Sequence, residues 1–230
     1  MGDWSAVGWA AASGVCGAGG LVAFYAGFAT APISVVAPVA ALVSAVLPVG
    51  VAIIGGERPA TTVIAGGLIC LVAVVLVSAQ PADHSDGRRL ITPERLRALG
   101  YGAAAGAGFG LFFIFLKNAG QSGVLWPVAI SRSAGTMVAF GIALATRTRP
   151  PWGRGGITGI ALASGAIDAA ANVCYVLATR AGLFGLAVVI TSLYPGMTVL
   201  LARIVLGERM RWLQRAGLLL AAAGVVLVTV

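Results

Sequence analysis

Eight runs of apolar residues, at 6–28, 33–54, 62–79, 96–116, 124–144, 157–178, 183–206 and 213–230, alternate with polar gaps along the chain. A bilayer-crossing helix takes about 20 predominantly apolar residues, so each run predicts one membrane span. Most gaps are short, which predicts that consecutive helices are neighbours. The exception is "QPADHSDGRRLITPERLR", Gln80 to Arg97, which reads as a surface linker with a short interfacial helix from Thr92. Glycine and proline inside the runs argue against soluble helices but are ordinary in membrane ones. Gly102, Gly106 and Gly110 bare one face of the fourth span, so a neighbouring helix can approach closely. No P-loop lysine follows them, and a phosphate cradle is the weaker reading. Pro32, Pro38 and Pro48 predict a broken second span, and Pro195 a kink in the seventh. Freed backbone groups are tolerated at membrane depth only against protein or a water-lined cavity. Both spans are therefore expected to border a pathway.

Composition supports a lipid solvent. Of 230 residues, 59% are hydrophobic and 10% charged, with mean hydropathy +0.99, whereas soluble domains are about half apolar and about a quarter charged. The net charge of +8 does not indicate nucleic acid as a partner, because the basic residues form no face and lie mainly in the gaps. With alternating spans, Arg88, Arg89, Arg95, Arg97, Arg147, Arg149, Arg154, Arg209, Arg211 and Arg215 share one side; Arg58, Lys117 and Arg180 share the other. The richer side is expected to be cytoplasmic, which puts both termini outside. Cys16, Cys70 and Cys174 all fall within apolar runs and read as buried free thiols, not disulfides or metal ligands. His84, the one histidine, lies in the polar linker. A Ser-His-Asp or zinc enzyme is therefore not expected, and neither is a cofactor or bound metal. The opening "MGDWSAVGWAAASGVC" has no basic n-region and does not read as a secretory signal.

The chain also aligns with itself, without a gap, at an offset of about 151 residues. Ala12-Ser13-Gly14 falls on Ala163-Ser164-Gly165, and Gly56-Glu57-Arg58 on Gly207-Glu208-Arg209. Gly66 falls on Gly217, and "VVLV" at Val74–Val77 on "VVLV" at Val225–Val228. Matches held in register this far indicate a true repeat. One period contains five spans. Because five is odd, consecutive copies must cross the membrane in opposite directions, an arrangement found in many secondary transporters. Residues 96–230 hold a complete second copy of five spans, 80–95 the linker, and 1–79 only the last three spans of a first copy.

The stretch "LAVVITSLYPGMTVLLARIVLGERMRWLQRAGLLLAAAGVVLVTV" resembles the drug/metabolite transporter superfamily, specifically the EamA-like transporters. The resemblance lies in two five-span repeats, each ending in a span, a "GER" turn and a last apolar span. Pro195, thirteen residues before Glu208, matches the usual proline of its span, and Arg132 in "VAISRSAGTMVAF" an arginine common in the second span of each repeat. The resemblance implies an all-α integral membrane protein, inverted five-helix repeats and, against the charge count, both termini inside. Such families usually have ten spans. The eight here predict an N-terminally shortened copy, or a start called too late, with a homodimer or a second chain as the source of the missing helices.

An ionisable group at membrane depth is a functional candidate by default. Asp168 sits mid-span in "ASGAIDAAANVCYVLA", with Asn172 at i+4 and Tyr175 at i+7 on the same helix face. The stripe reads equally as a substrate or proton site and as a polar patch that glues helices together. The repeat places Gly17 opposite Asp168, so the symmetry is broken there. Arg132 either snorkels to the interface or serves as counter-ion to Asp168 or to an anionic substrate. Arg203 suits snorkelling or a local pair. Tyr101, Tyr194 and Trp126 are candidates for a vestibule, although Trp4, Trp9, Trp126 and Trp212, near span ends, equally fit an interfacial aromatic belt. The Gly-Glu-Arg pair reads as structural: Gly56 and Gly207 end one helix, Glu57 and Glu208 sit at the positive N-terminal end of the next, and Arg58 and Arg209 reach headgroups.

The function expected is multi-pass secondary transport at the cell membrane, exporting small polar metabolites or drugs, with protonation of Asp168 as one source of coupling. A non-transporting or degenerate membrane subunit is the alternative. A membrane enzyme ranks third, for want of clustered polar catalytic groups.

Overall fold

The computed structural model describes residues 4–30, 33–56, 61–78, 93–147, 155–182, 187, 190, 191 and 212–229. Seven helices have described limits: α1 (Trp4–Thr30), α2 (Ile33–Ile54), α3 (Thr61–Ser78), α4 (Pro93–Ala119), α5 (Leu125–Ala145), α6 (Gly155–Arg180) and α7 (Trp212–Thr229), with a 3-10 turn at Gly120–Ser122 between α4 and α5. No strand occurs among the described residues. Five segments are long and apolar enough to cross a bilayer: Trp4–Thr30, Val35–Ile54, Leu96–Ser122, Leu125–Ala145 and Thr158–Arg180. The seventh apolar run, 183–206, lies almost wholly outside the described residues.

Two expectations need correction. Among the described residues, no separate interfacial helix stands before the fourth span. Pro93 starts α4, which runs unbroken to Ala119 with Glu94 in its first turn. Proline suits a first helical position because its missing N–H is an orphan there anyway, and the carboxylate complements the positive helix end. Nor is the second span broken, because α2 continues through Pro38 and Pro48. Pro48 leaves the Ser44 carbonyl without an N–H partner, and Ser44 is itself buried, so that carbonyl is enclosed by protein, as membrane helices require.

The chain divides into two compact units. One comprises Gly20–Gly110 and Gly185–Val230, hence α2, α3, α7, the second half of α1 and the first part of α4. Here the glycine stripe of α4 lies against α2. A Cβ on Gly102 would stand 2.9 Å from the Val36 carbonyl oxygen, one on Gly106 2.6 Å from that of Ala40, and one on Gly110 3.3 Å from the Leu47 Cβ. Absent side chains let the two backbones meet, the packing that small residues provide in membranes.

In the same unit α3 packs along α7. The limits of these helices differ by the repeat offset: 61 and 212, 78 and 229, are each 151 apart. Their buried positions do as well. Gly66, Cys70 and Ala73 are buried on α3; Gly217, Ala221 and Gly224 are buried on α7. A Cβ on Gly224 would lie 2.6 Å from the Cys70 Sγ and 3.0 Å from the Gly66 carbonyl oxygen. α2 ends at the glycine pair before Glu57: Gly55 N–H donates to the Val51 carbonyl (2.9 Å) and Gly56 N–H to that of Ile53 (3.0 Å). Gly56 takes φ +90°, a left-handed helix end that glycine adopts without penalty.

The other unit comprises Met1–Gly19 and Leu111–Phe184, hence the first half of α1, the end of α4, the 3-10 turn, α5 and α6.

Candidate functional site

The candidate site lies within that second unit. It starts from a close crossing of α1 and α5. A Cβ on Gly14 would collide with the Ser131 carbonyl oxygen and stand 2.9 Å from the Gly135 nitrogen. The approach buries two hydroxyls completely or nearly so, Ser13 and Ser131. Neither is left unsatisfied: Ser131 Oγ donates to Ser13 Oγ (3.2 Å), and Ser13 Oγ donates to the Phe112 carbonyl of α4 (3.0 Å). Three helices are joined through one short hydrogen-bond chain.

Arg132 follows Ser131 on α5 and turns toward α6. Its Nη1 lies 2.5 Å from Asp168 Oδ2, with the two side chains 39% and 53% exposed. The guanidinium also stands over the Phe112 ring, 5.7 Å from its centroid, within cation–π range. Its Nε is buried without a hydrogen-bond partner. Of the two roles open to Arg132, the geometry is that of counter-ion to Asp168.

On α6 the polar stripe forms one connected group. Asn172, buried, donates from Nδ2 to the Asp168 backbone carbonyl (2.6 Å) and to Asp168 Oδ1 (3.3 Å). It thereby orients the carboxylate that Arg132 pairs with. Tyr175, also buried, turns its hydroxyl to α4. Its hydroxyl donates to the Phe113 carbonyl of α4 (3.0 Å), and its ring packs 4.8 Å from that of Phe113. Tyr175 thus ties α6 to α4 about two turns beyond Asp168.

The remaining candidates divide. Tyr194, Pro195, Arg203, Glu57, Arg58, Gly207, Glu208 and Arg209 lie outside the described residues. Tyr101 is half-buried in the other unit. Trp4, Trp126 and Trp212 stand exposed at helix starts, as an interfacial belt requires; Trp9 packs on Phe115, with ring centroids 5.3 Å apart. All three cysteines are free, but only Cys70 is fully buried; Cys16 is half-buried and Cys174 exposed on α6, which corrects the expectation of three buried thiols. Among the described residues, no three His, Cys, Asp or Glu side chains come together as metal ligands.

Ser13, Ser131, Phe112 and Phe113 were not singled out from the sequence, although they carry the site. Ser13 stood within the Ala-Ser-Gly match of the repeat and Ser131 beside Arg132. Those were the signals available.

The arrangement provides a fixed cation and a fixed anion within one helical unit, held by an amide and an aromatic face. No curated protein matches the chain. Among solved structures, one described as "Crystal structure of protein" superposes with a TM-score of 0.73 at 17% identity, covering 98% of this chain and 85% of that one; likeness at that identity concerns the fold alone. The model of the EamA-like transporter family matches residues 96–230. That match takes in α4 to α7, with both partners of the ion pair and most of the apolar helices, and the chain belongs to the EamA-like transporter family, as a multi-pass membrane protein of the drug/metabolite transporter type.

Proposed function

We propose that the protein is a secondary transporter that exports small polar metabolites or drugs from the cell by alternating access, with the Arg132–Asp168 pair at its centre. The observation that carries this reading is the pair itself: two opposite charges held together on adjacent helices that are long enough to span a bilayer. Charges at that depth are costly and mark transport pathways.

The pair supplies a coupling element. Protonating Asp168 removes the charge that Arg132 holds, so proton binding and pair formation compete for one carboxylate. A substrate bearing an anionic or cationic group competes in the same way. Whatever binds one state better shifts the population toward it. The two repeats, inverted by the odd number of spans in the period, would rock about this region. The equal offsets of helix limits and buried positions between α3 and α7 support the repeat.

The test is proton-driven efflux in everted membrane vesicles, screened with amino acids, nucleosides and sugars. Asp168→Asn is expected to abolish proton-dependent efflux while leaving the amount of protein in the membrane unchanged. Undiminished efflux by that variant would sink the coupling role.

One observation favours a second reading, a subunit inactive by itself. On the N-terminal side of Asp168, α6 is exposed at Ala161, Ser164 and Gly165. On this reading the purified chain transports nothing in the same screen.

A further inference from the structure

Arg132 carries its charge within a helix long enough to span a bilayer, and Asp168 is the anion it pairs with. No second anion stands by. Asp168 is the only acidic side chain among residues 4–19 and 111–184 of this unit. The proposed transport cycle requires that carboxylate to leave the pair, by taking up a proton or by turning to a substrate. Arg132 stays charged when it does, since a guanidinium does not deprotonate in proteins. A cation released at this depth either snorkels toward the interface or needs another partner where it stands.

Phe112 of α4 is placed to be that partner. The guanidinium carbon lies 5.7 Å from the centroid of its ring, and a cation–π attraction reaches to about 6 Å. Arg132 Nε is buried without a hydrogen-bond partner, so no conventional acceptor holds that side of the group. The aromatic residue is itself held from several directions. Its backbone carbonyl accepts from Ser13 Oγ of α1 (3.0 Å). The Phe113 ring meets it edge-on, with centroids 5.1 Å apart. Gly17 lets α1 approach so closely that a Cβ there would stand 2.9 Å from the ring. None of these contacts involves Asp168, so the ring keeps its place whatever the carboxylate does.

We propose that Phe112 is a positioning residue for transport: its aromatic face holds the Arg132 guanidinium at the site while Asp168 is neutral or engaged elsewhere. An ionised Asp168 blunts the attraction, because the negative face of the ring repels the carboxylate as it attracts the guanidinium. Once Asp168 is neutral, the ring faces a bare cation and its pull is greatest. Arg132 therefore stays in position to take the carboxylate back at the end of the cycle. The proposal rests on the reading of the ion pair as a coupling element. Its test reads thermal stability and not transport, so the two fail separately.

The experiment replaces Phe112 of the full chain, in nanodiscs, with phenylalanines carrying one, two and three ring fluorines. Fluorine withdraws the negative charge from the ring face and leaves the ring nearly the same shape, so packing alone predicts no progressive loss. In an Asp168→Asn background the melting temperature should fall stepwise along the series, by about 2–4 °C at three fluorines. In the parent the fall should be shallower, because the carboxylate offsets it. In an Arg132→Met background, with no cation over the ring, the series should be flat. A fall that persists in Arg132→Met, a flat series in Asp168→Asn, or a fall as steep in the parent as in Asp168→Asn would overturn the proposal.

Discussion

Arg132 and Asp168 each neutralise a charge that the bilayer would otherwise have to solvate. Removing one partner strands the other, whereas removing both leaves no charge at depth. Arg132→Met and Asp168→Asn, each alone, are therefore expected to lower thermal stability in nanodiscs by more than the double variant does. Both side chains are over a third exposed, so screening limits the coupling to about 0.5–1 kcal/mol. Additive effects in the cycle would show that the pair is incidental. Gly14 and Gly165 offer a second comparison, since the repeat equates them and their surroundings do not match. Gly14→Leu must push α1 off the Ser131 carbonyl and should cost about 1–3 kcal/mol. Gly165→Leu in the isolated chain should stay within about 0.5 kcal/mol of the parent or gain slightly from helix propensity. Equal losses at the two positions would mean that α6 is not open at Gly165.

Among the elements, α4 shows how far the chain was legible before folding. The four-residue spacing of Gly102, Gly106 and Gly110 predicted a close neighbour, and α2 fills the stripe at all three positions. Gly106→Leu should separate α2 from α4 and lower the melting temperature of the purified protein, by about 1–3 kcal/mol in stability; an unchanged melt would contradict that packing. The helix limits were legible for the same reason, because each apolar run must satisfy its own backbone hydrogen bonds in lipid. Pro38 and Pro48 misled, since a local rule drawn from soluble helices ignores the neighbour that encloses a freed carbonyl. At the site, Asp168 and Asn172 were visible because they lie one turn apart on one helix. The Ser13–Ser131 bond joins residues 118 apart in sequence. No spacing along the chain announces it, and only the crossing of α1 with α5 brings the hydroxyls together. Likewise Tyr175 shares a face with Asp168 by periodicity, yet its hydroxyl is spent on α4.

For the molecule as a whole, the repeat makes a demand that one contact does not show. If α3 and α7 are related by a twofold operation, each contact between them has a mate in which the two helices exchange roles. The contact of Gly224 with Cys70 then requires one between Ala73 and Ala221. Ala73→Cys with Ala221→Cys, in a Cys70→Ala background, should form a disulfide under mild oxidation in membranes. Failure to cross-link, with the protein otherwise folded, would deny the twofold relation of these helices. That relation also bears on the shape of the α3–α7 seam. A strict twofold would carry one residue twice, whereas this chain carries cysteine against alanine at one equivalent pair (70 and 221) and alanine against glycine at the other (73 and 224). The larger member of each pair is on α3 and the smaller on α7, so bulk on one helix meets room on the other, as Cys70 does at Gly224. The seam is a lock with two unlike halves, and the two helices are not interchangeable in it.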